Sequence, residues 1–546
     1  MAERQQRRVL PAPARPGSIF ARAGEGYVLL AGSKQVPSCF ADPFLLPDEA
    51  LAGTAANVSR AVRLEYDEVV GALLDRREKR FAWIKRGLSA DEAAAVEALR
   101  CRAVGITYEW RRHYPNAALA ATTLGFRRQD GEGGGGLELA LQDHLAPMDG
   151  QYVVKTDRFG RPIWTVADED LPLRHGRNVY LCLDACIQGF LESAVSKAVS
   201  QYGVEGRTWG AGVVVEPATG KVLAICSVPT FNPNEYSTAP AESRLNRAIG
   251  MPFEPGSVAK PIFAAAAVDA GLLTYGSRIF CENGAFRAPR GGRISDHGQS
   301  YGELSLEDIV VFSSNIGMAK VGLMLGNQRL HAAAMRAGFG RKTGIELPGE
   351  DAGIVRDLRR WNTYSTPRVP FGQELSTTAL QLTMAFCALA NGGELLRPRL
   401  VDCIADADGN IVYSGRREAI RRVVSPSTAR ESLKVLRQVV ERGTGKACRL
   451  SRWTSFGKTG TAQIPGPGGY VDGAYTGTFV GGAPAEEPQL VCLISVYWPE
   501  ASRGYYGSRV AAPFVKEVLE RSLAHLGVPG DLAVCAAPGG QGGVRR

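Results

Sequence analysis

The chain has 546 residues, 45% hydrophobic and 22% charged, a length that divides into two to four domains and a composition that excludes bulk disorder. Its 64 Lys and Arg against 55 Asp and Glu leave a net charge of +9, but no basic run is interleaved with aromatics, so a solvated arginine-rich surface is expected and no nucleic acid. No segment approaches the roughly 18 consecutive apolar residues of a spanning helix, no signal peptide is recognisable, and 11 Cys without a C-x-x-C pair beside 6 His point to no metal and no cofactor.

Residues 1–172 are rich in Arg, Ala and Gly and read as a separate module. Arg4, Arg7 and Arg8 form a basic cluster of the kind that flanks membrane segments. Tyr27 to Ala31 is short enough for a strand, Ala90 to Arg100 has helical apolar spacing, and Gly133 to Gly136 reads as a flexible break. From residue 180 to 527 the pattern is that of one large α/β domain. Ala211 to Glu216 and Lys221 to Ser227, joined by Pro217-Ala218-Thr219-Gly220, predict a hairpin. Val258 to Ala270 predicts a helix that ends at Gly271, with Pro261 tolerated in its first turn. Another helix is expected from Ile316 to Leu325, a buried strand at Gln489 to Trp498, and a closing amphipathic helix at Val510 to Leu526. Residues 528–546 are small, polar and glycine-rich, and read as a disordered tail.

The chemistry begins at Phe253-Glu254-Pro255-Gly256-Ser257-Val258-Ala259-Lys260, which sets a serine at a helix mouth and a lysine nearly one turn later on the same face. A serine hydroxyl needs a base to become a nucleophile. A lysine is that base only if desolvation or a neighbouring cation depresses its pKa. S-x-x-K alone is a weak signal, and Ser455-Phe456-Gly457-Lys458 satisfies it too. Downstream, Ser313-Ser314-Asn315 follows the apolar run Val310-Val311-Phe312 and fits either a polar catalytic motif or a helix cap. In Lys458-Thr459-Gly460-Thr461, a strand would send Lys458 and Gly460 one way and the two threonines the other. Gly460 there leaves room for a substrate backbone.

The order S-x-x-K, S-x-N, K-T-G is the signature set of penicillin-binding proteins and serine β-lactamases. The chain resembles class B penicillin-binding proteins over most of its length. Gly17-Ser18-Ile19, with Arg15 one place early and Leu30-Ala31 beyond, resembles the R-G-x-I box, and Gly160-Arg161 with Ile163 a later G-R-x-I element. Leu245-Asn246-Arg247-Ala248 is similar to the approach to the nucleophile, and Phe371-Gly372-Gln373 and Asn391-Gly392-Gly393 to two recurrent loops. The resemblance implies an antiparallel sheet flanked by helices, the transpeptidase fold shared with serine β-lactamases, on an N-terminal α+β pedestal or dimerisation module. It implies that Ser257 attacks a donor stem peptide, Lys260 takes its proton and Ser313 relays a proton to the leaving amine. Asn315 would hold the donor backbone, and Lys458 and Thr459, with Gly460 and Thr461 in the same motif, its carboxylate. The NH groups of Ser257 and Thr461 would form the oxyanion hole.

Peptidoglycan stem peptides and β-lactams are the implied ligands, and a glycan polymerase and division-complex membrane proteins the implied partners. The motif lead-ins resemble the septal transpeptidase. The implied location is the cytoplasmic membrane, with the catalytic domain facing the periplasm or exterior and the anchor not present in this chain. Three other readings compete. A serine β-lactamase or β-lactam sensor would draw on Glu242-Ser243-Arg244-Leu245-Asn246, which spells E-x-x-L-N but precedes Ser257. An α/β-hydrolase would use Ser300 in Gly298-Gln299-Ser300-Tyr301-Gly302, provided a strand precedes and a helix follows; Ala288 to Asp296 reads instead as a loop. A non-catalytic division scaffold would carry degenerate motifs, whereas all three are intact here.

Overall fold

Trp209–Glu216, Lys221–Val228 and Leu490–Tyr497 are small and β-branched and bury nearly every side chain, a pattern stable only in strands covered on both faces. The computed structural model describes residues 7–156, 162–165, 171–289 and 292–532. The described residues start with β1 (Arg7–Ala12), β2 (Ile19–Ala23) and the long β3 (Gly26–Ala41). The first part of β3 pairs with β2, and the rest with β4 (Ala82–Lys85) and β5 (Val104–His113). Helices α1 (Asp48–Val62), α2 (Tyr66–Leu74) and α3 (Ala90–Ala98) bury Val58, Val62, Val69, Leu73 and Val96 against Cys39 and Ala41 in a small separate core. α3 carries a capping box, with Ser89 and Glu92 satisfying each other's backbone NH groups. β6 (Gly150–Thr156) and β7 (Pro162–Thr165) join β1 in a three-stranded sheet.

β8 (Asn178–Asp184) runs parallel to β2 and antiparallel to Val401–Ala405, within one seven-stranded sheet. The separation expected between residues 172 and 180 is therefore bridged by hydrogen bonds. An exposed β2 edge would leave unpaired backbone groups, and β8 covers it.

The second half contributes β9 (Trp209–Glu216), β10 (Lys221–Val228), a small hairpin of β11 (Ala285–Ala288) and β12 (Gly292–Ser295), and then β13 (Phe456–Gly466), β14 (Gly469–Ala483) and β15 (Leu490–Tyr497). Five of these form an antiparallel sheet in the order β10-β9-β15-β14-β13, with β13 at an edge. Alternation decides the faces: Val213 and Val215 enter one core and Val214 the other. α4 (Ala185–Tyr202) lies on β9 and β10 on the Val214 side. The opposite side holds α5 (Lys260–Asp269), α6 (Asn315–Arg336), α7 (Ala379–Ala390) and α8 (Pro426–Glu441). α7 packs on β9 and β15, α8 on β13, and α5 between α6 and α8. α9 (Ala512–His525) returns to cover α4, β14 and β15. Among the described residues no helix is long and apolar enough to cross a membrane.

Three sequence expectations change. The Gly133 to Gly136 run is no flexible break: Gly134 donates its NH to Phe126 O at 2.8 Å, and Gly133 its NH to Gln142 Oε1 at 3.0 Å. A Cβ on Gly134 would strike the Phe126 ring, one on Gly133 the Glu138 carbonyl, and Gly136 sits at φ +54° against the Gly125 backbone. The glycines are there for close packing. The expected tail is anchored at its start, because Trp453 Nε1 donates to Pro529 O at 2.9 Å and Thr454 N to Asp531 Oδ1 at 2.6 Å. Residues 533–546 lie outside the described residues, as do Arg4, Gly160 and Arg161. Ala288 to Asp296, expected as a loop, carries the end of β11 and all of β12. Ser300 lies in an exposed loop that leads to the strand Glu303–Ser305, so a strand and not a helix comes directly after it and the nucleophile-elbow reading fails.

If Gly134 is a packing residue, Gly134→Ala lowers stability by about 1–3 kcal/mol through overpacking. Gly53→Ala, on the exposed face of α1 with open space around it, raises it by roughly 0.5–1 kcal/mol. Thermal melts of both variants against the parent check the pair, and an unchanged melt for Gly134→Ala would restore the flexible break.

Candidate active site

The nucleophile loop is clamped from two sides. Phe253 and Thr377 exchange backbone hydrogen bonds at 2.9 Å, and Gly256 N donates to Gly372 O at 3.1 Å. Gly256 has φ +53°, and a Cβ on it would lie 3.1 Å from Thr461 O on β13. A Cβ on Gly372 would collide with the Gly256 carbonyl, so the Phe371-Gly372-Gln373 loop seats the turn before Ser257. Residues Gly256–Ala259 form a 3₁₀ turn, not the start of the expected α-helix, and Lys260 N donates to Ser257 O. In a 3₁₀ turn residues three apart eclipse, so Ser257 and Lys260 stand on one face more directly than in an α-helix.

Lys260 and Lys458 are both fully buried. Lys260 Nζ donates to Ser313 O at 2.5 Å, Asn315 Oδ1 at 2.8 Å and Ser313 Oγ at 3.1 Å. Lys458 Nζ reaches the same Ser313 Oγ at 3.0 Å and its neighbour's carbonyl, Thr459 O, at 3.3 Å. One hydroxyl therefore sits between two lysines. Ser313 has φ +64°, a strained geometry for a serine, which lets its carbonyl and hydroxyl both meet Lys260. The helix cap is the next residue: Ser314 Oγ accepts from Gly317 N at 3.0 Å. The capping and catalytic readings of this motif thus fall on different serines.

Burial drives Lys260 well below the usual lysine range, with the Lys458 charge adding to the effect and Asp296 opposing it. Both causes anticipated from the sequence act here, and burial is the larger. Lys458, to which the resemblance gives the binding of a carboxylate, is itself pushed down to about 7 by burial. Its acceptors among the described residues are neutral, so a charged Lys458 is uncompensated and the site favours an arriving anion.

The remaining motif residues divide. Thr459 Oγ1 pairs with Thr444 Oγ1 at 2.8 Å, and Thr461 Oγ1 accepts from Gly507 N at 3.2 Å. The place of a Gly460 side chain is taken by Val258 Cγ2 and Pro255 O, 2.6 and 2.9 Å from a built Cβ. Gly460 therefore admits the nucleophile turn, and the expected approach of a substrate backbone at that position is corrected. Asn315 is also committed internally, since its Nδ2 donates to Ser295 O at 3.1 Å while its Oδ1 holds Lys260. Glu242 lies exposed on the turn Ala241–Arg244, with no hydrogen bond to these residues among those described.

Asp296 was not anticipated. Its carboxylate accepts from Asn315 N at 2.5 Å, Ile316 N at 3.1 Å and Ser314 Oγ at 2.9 Å, and so fixes the first turn of α6. The available signal was the lack of any acidic residue in that turn, which leaves free NH groups in want of an anion. Thr444 was likewise missed. Asp296→Ala should lower stability by about 1–3 kcal/mol for the donors left unpaired, with Asp296→Asn recovering part; equal melting temperatures for parent and Asp296→Ala would remove Asp296 from this role.

Residues 11–181 match the family model for the penicillin-binding protein dimerisation domain, and residues 210–520 that for the penicillin binding protein transpeptidase domain. The probable peptidoglycan D,D-transpeptidase PenA of Neisseria meningitidis is 32% identical over 94% of this chain and 85% of its own length. The peptidoglycan D,D-transpeptidase FtsI of Escherichia coli is 28% identical over 94% and 84%. The crystal structure of penicillin binding protein 3 from Mycobacterium tuberculosis, complexed with aztreonam, aligns with a TM-score of 0.73 and 27% identity, over 95% of this chain and 98% of that one. Since the transpeptidase model covers more than half of the chain and PenA is similar along most of its length, the chain belongs to the penicillin-binding protein family, with a dimerisation domain ahead of a transpeptidase domain.

Proposed function

We propose that this protein is a serine D,D-transpeptidase that cross-links peptidoglycan stem peptides during cell-wall synthesis and is acylated by β-lactams. The observation that carries the reading is the convergence of Lys260 and Lys458 on Ser313 Oγ, at 3.1 and 3.0 Å, with Lys260 itself one 3₁₀ turn after Ser257 in the chain. The relatives' names, and the aztreonam complex of a similar structure, support the same chemistry.

In this reading Ser257 Oγ attacks the carbonyl of the penultimate D-Ala, and its proton passes to neutral Lys260. A neutral amine keeps two N–H donors and one lone pair, so two of the three present acceptors hold Lys260 while the lone pair serves Ser257. The NH groups of Ser257 and Thr461 receive the developing oxyanion. The C–N bond breaks, a proton reaches the leaving amine through Ser313, and D-Ala departs. The amine of a second stem peptide then displaces Ser257 from the ester. Lys458 and Thr459 bind the donor carboxylate, for which Thr459 exchanges its bond to Thr444, and Asn315 holds the donor backbone by releasing Ser295.

The resemblance of the motif lead-ins to the septal enzyme supports a role in division. A separate glycan polymerase and division-complex membrane proteins complete the reading as partners, with the catalytic domain held at the outer face of the cytoplasmic membrane. A β-lactamase is disfavoured because Glu242 is remote from the cluster in hydrogen-bonding terms, which leaves water without a dedicated base.

Two outcomes follow. A fluorescent penicillin labels the parent and the Ser300→Ala variant but not Ser257→Ala, and intact-mass spectra show the adduct persisting after free drug is removed. Labelling of Ser257→Ala refutes the nucleophile, and rapid return to the parent mass points to a hydrolase. The pH dependence tests the lysines. Second-order acylation reports ionisations of the free enzyme. Burial favours the basic form of Lys260, and Lys458 loses its charge as the pH rises through about 7. Acylation by an anionic β-lactam should therefore fall above that pH, tending to about tenfold per unit. In Lys458→Arg the guanidinium stays charged and the fall disappears, while Lys260→Arg is nearly inert. A parent profile that is flat above neutrality, or an active Lys260→Arg, contradicts these roles.

A further inference from the structure

Of the cysteines whose placement is described, seven are buried, two are half-buried and Cys186 is exposed. Burial makes the seven small apolar fillers, but Cys186 has a different setting. It is the second residue of α4, Asp184 is that helix's N-cap at the end of β8, and His525 is the last residue of α9. A carboxylate oxygen of Asp184, the Cys186 Sγ and a ring nitrogen of His525 lie within 4.8 Å of one another. The cluster is on the α4 and α9 side of the five-stranded sheet, across from α5 and the lysine pair.

We propose that Asp184, Cys186 and His525 bind a zinc-class divalent cation that clamps the C-terminal end of α9 to the junction of β8 and α4. Two ligand atoms each about 2.1 Å from a tetrahedral ion stand roughly 3.4 Å apart. The His525 Nε2 to Asp184 Oδ2 separation of 3.0 Å is close to such an edge. The thiol reaches a third corner by rotation of an exposed side chain, and water takes the fourth. Two of the three ligands are already held. Asp184 Oδ1 accepts from Cys186 N at 2.9 Å and Ile187 N at 3.0 Å, leaving Oδ2 toward the site. The His525 ring meets Phe190 edge-on, with centroids 6.2 Å apart. His525 also ends a helix, where the backbone dipole favours a cation. Arg521, one turn earlier, is stacked over Phe190 at 4.0 Å and paired with Glu517 at 3.4 Å.

The ligand set selects the ion. A thiolate, an imidazole and one carboxylate suit zinc, whereas calcium and magnesium require oxygen donors. Binding displaces the thiol proton to solvent and replaces the His525 to Asp184 hydrogen bond by two bonds to metal. The clamp joins residues 341 positions apart. Because β8 also pairs with β2, it stiffens the joint between the two halves of the chain.

The test uses the full chain, stripped with a chelator and dialysed. Zinc titrated by calorimetry should bind one ion per chain and raise the melting temperature. Cobalt should give a thiolate-to-metal charge-transfer band in the near ultraviolet. Cys186→Ser should abolish that band, and Cys186→Ser and His525→Gln should each weaken zinc by at least about tenfold, the low end of what even an outer partner contributes. Cys403→Ser, which alters a half-buried cysteine elsewhere, should change neither. Penicillin labelling of Ser257 in the zinc-free variants should match the parent, which separates this inference from the proposed acyl transfer. No zinc binding by the parent, equal affinity in Cys186→Ser, or a cobalt band that survives it would overturn the proposal.

Discussion

Two lysines share one hydroxyl in the interior of this protein, and much of the surrounding structure exists to hold them there. Moving an ammonium group out of water is so unfavourable that the group sheds its proton or finds partners. Lys260 is driven well below its ordinary range and still finds three oxygen acceptors. Lys458 sits near 7 with two neutral acceptors. The pair therefore combines an amine whose basic form burial favours with a cation short of a counter-charge, and burial is the leading cause of both.

That arrangement relies on backbone placement at several points. Ser313 reaches both ammonium groups because its φ is +64° and because α6 begins immediately afterwards. α6 begins there because Ser314 and Asp296 satisfy its first NH groups. Lys458 enters from β13, the edge of the sheet, and β13 can lie against the Ser257 turn because Gly460 offers no side chain to Val258. The same economy of space recurs at Gly256 and Gly372. A glycine in this protein more often marks two backbones in contact than a flexible joint, as Gly133 to Gly136 also demonstrate. The joint between the halves is likewise rigid in character, since β2, β8 and Val401–Ala405 form one continuous sheet.

Local patterns were read well where the deciding physics is local. The hairpin around Pro217 to Gly220, the buried strand ending near Trp498 and the helix after Ser257 follow from alternation, turn residues and helical spacing. The first turn of that helix is 3₁₀, which spacing cannot reveal because both helix types place residues three apart on one side. The attachment of residues 529–531 and the strand pairing across the early boundary escaped the sequence because composition records polarity and glycine content but not what the backbone is bonded to. Trp453 and Thr454 hold residues that composition alone would leave free.

The sequence by itself determined the chemical inventory: Ser257, Lys260, Ser313, Asn315 and Lys458 in the right order and spacing, on elements whose type could be inferred. Only the tertiary structure decided what each could do. It brought Lys458 to Ser313 from 145 positions away, spent both ends of Asn315 on Lys260 and Ser295, supplied Asp296 from the end of β12, and gave Gly460 to Val258. The reason is physical: side-chain identity and local geometry are carried by neighbours in sequence, whereas burial, charge separation and hydrogen-bond partnership depend on neighbours in space.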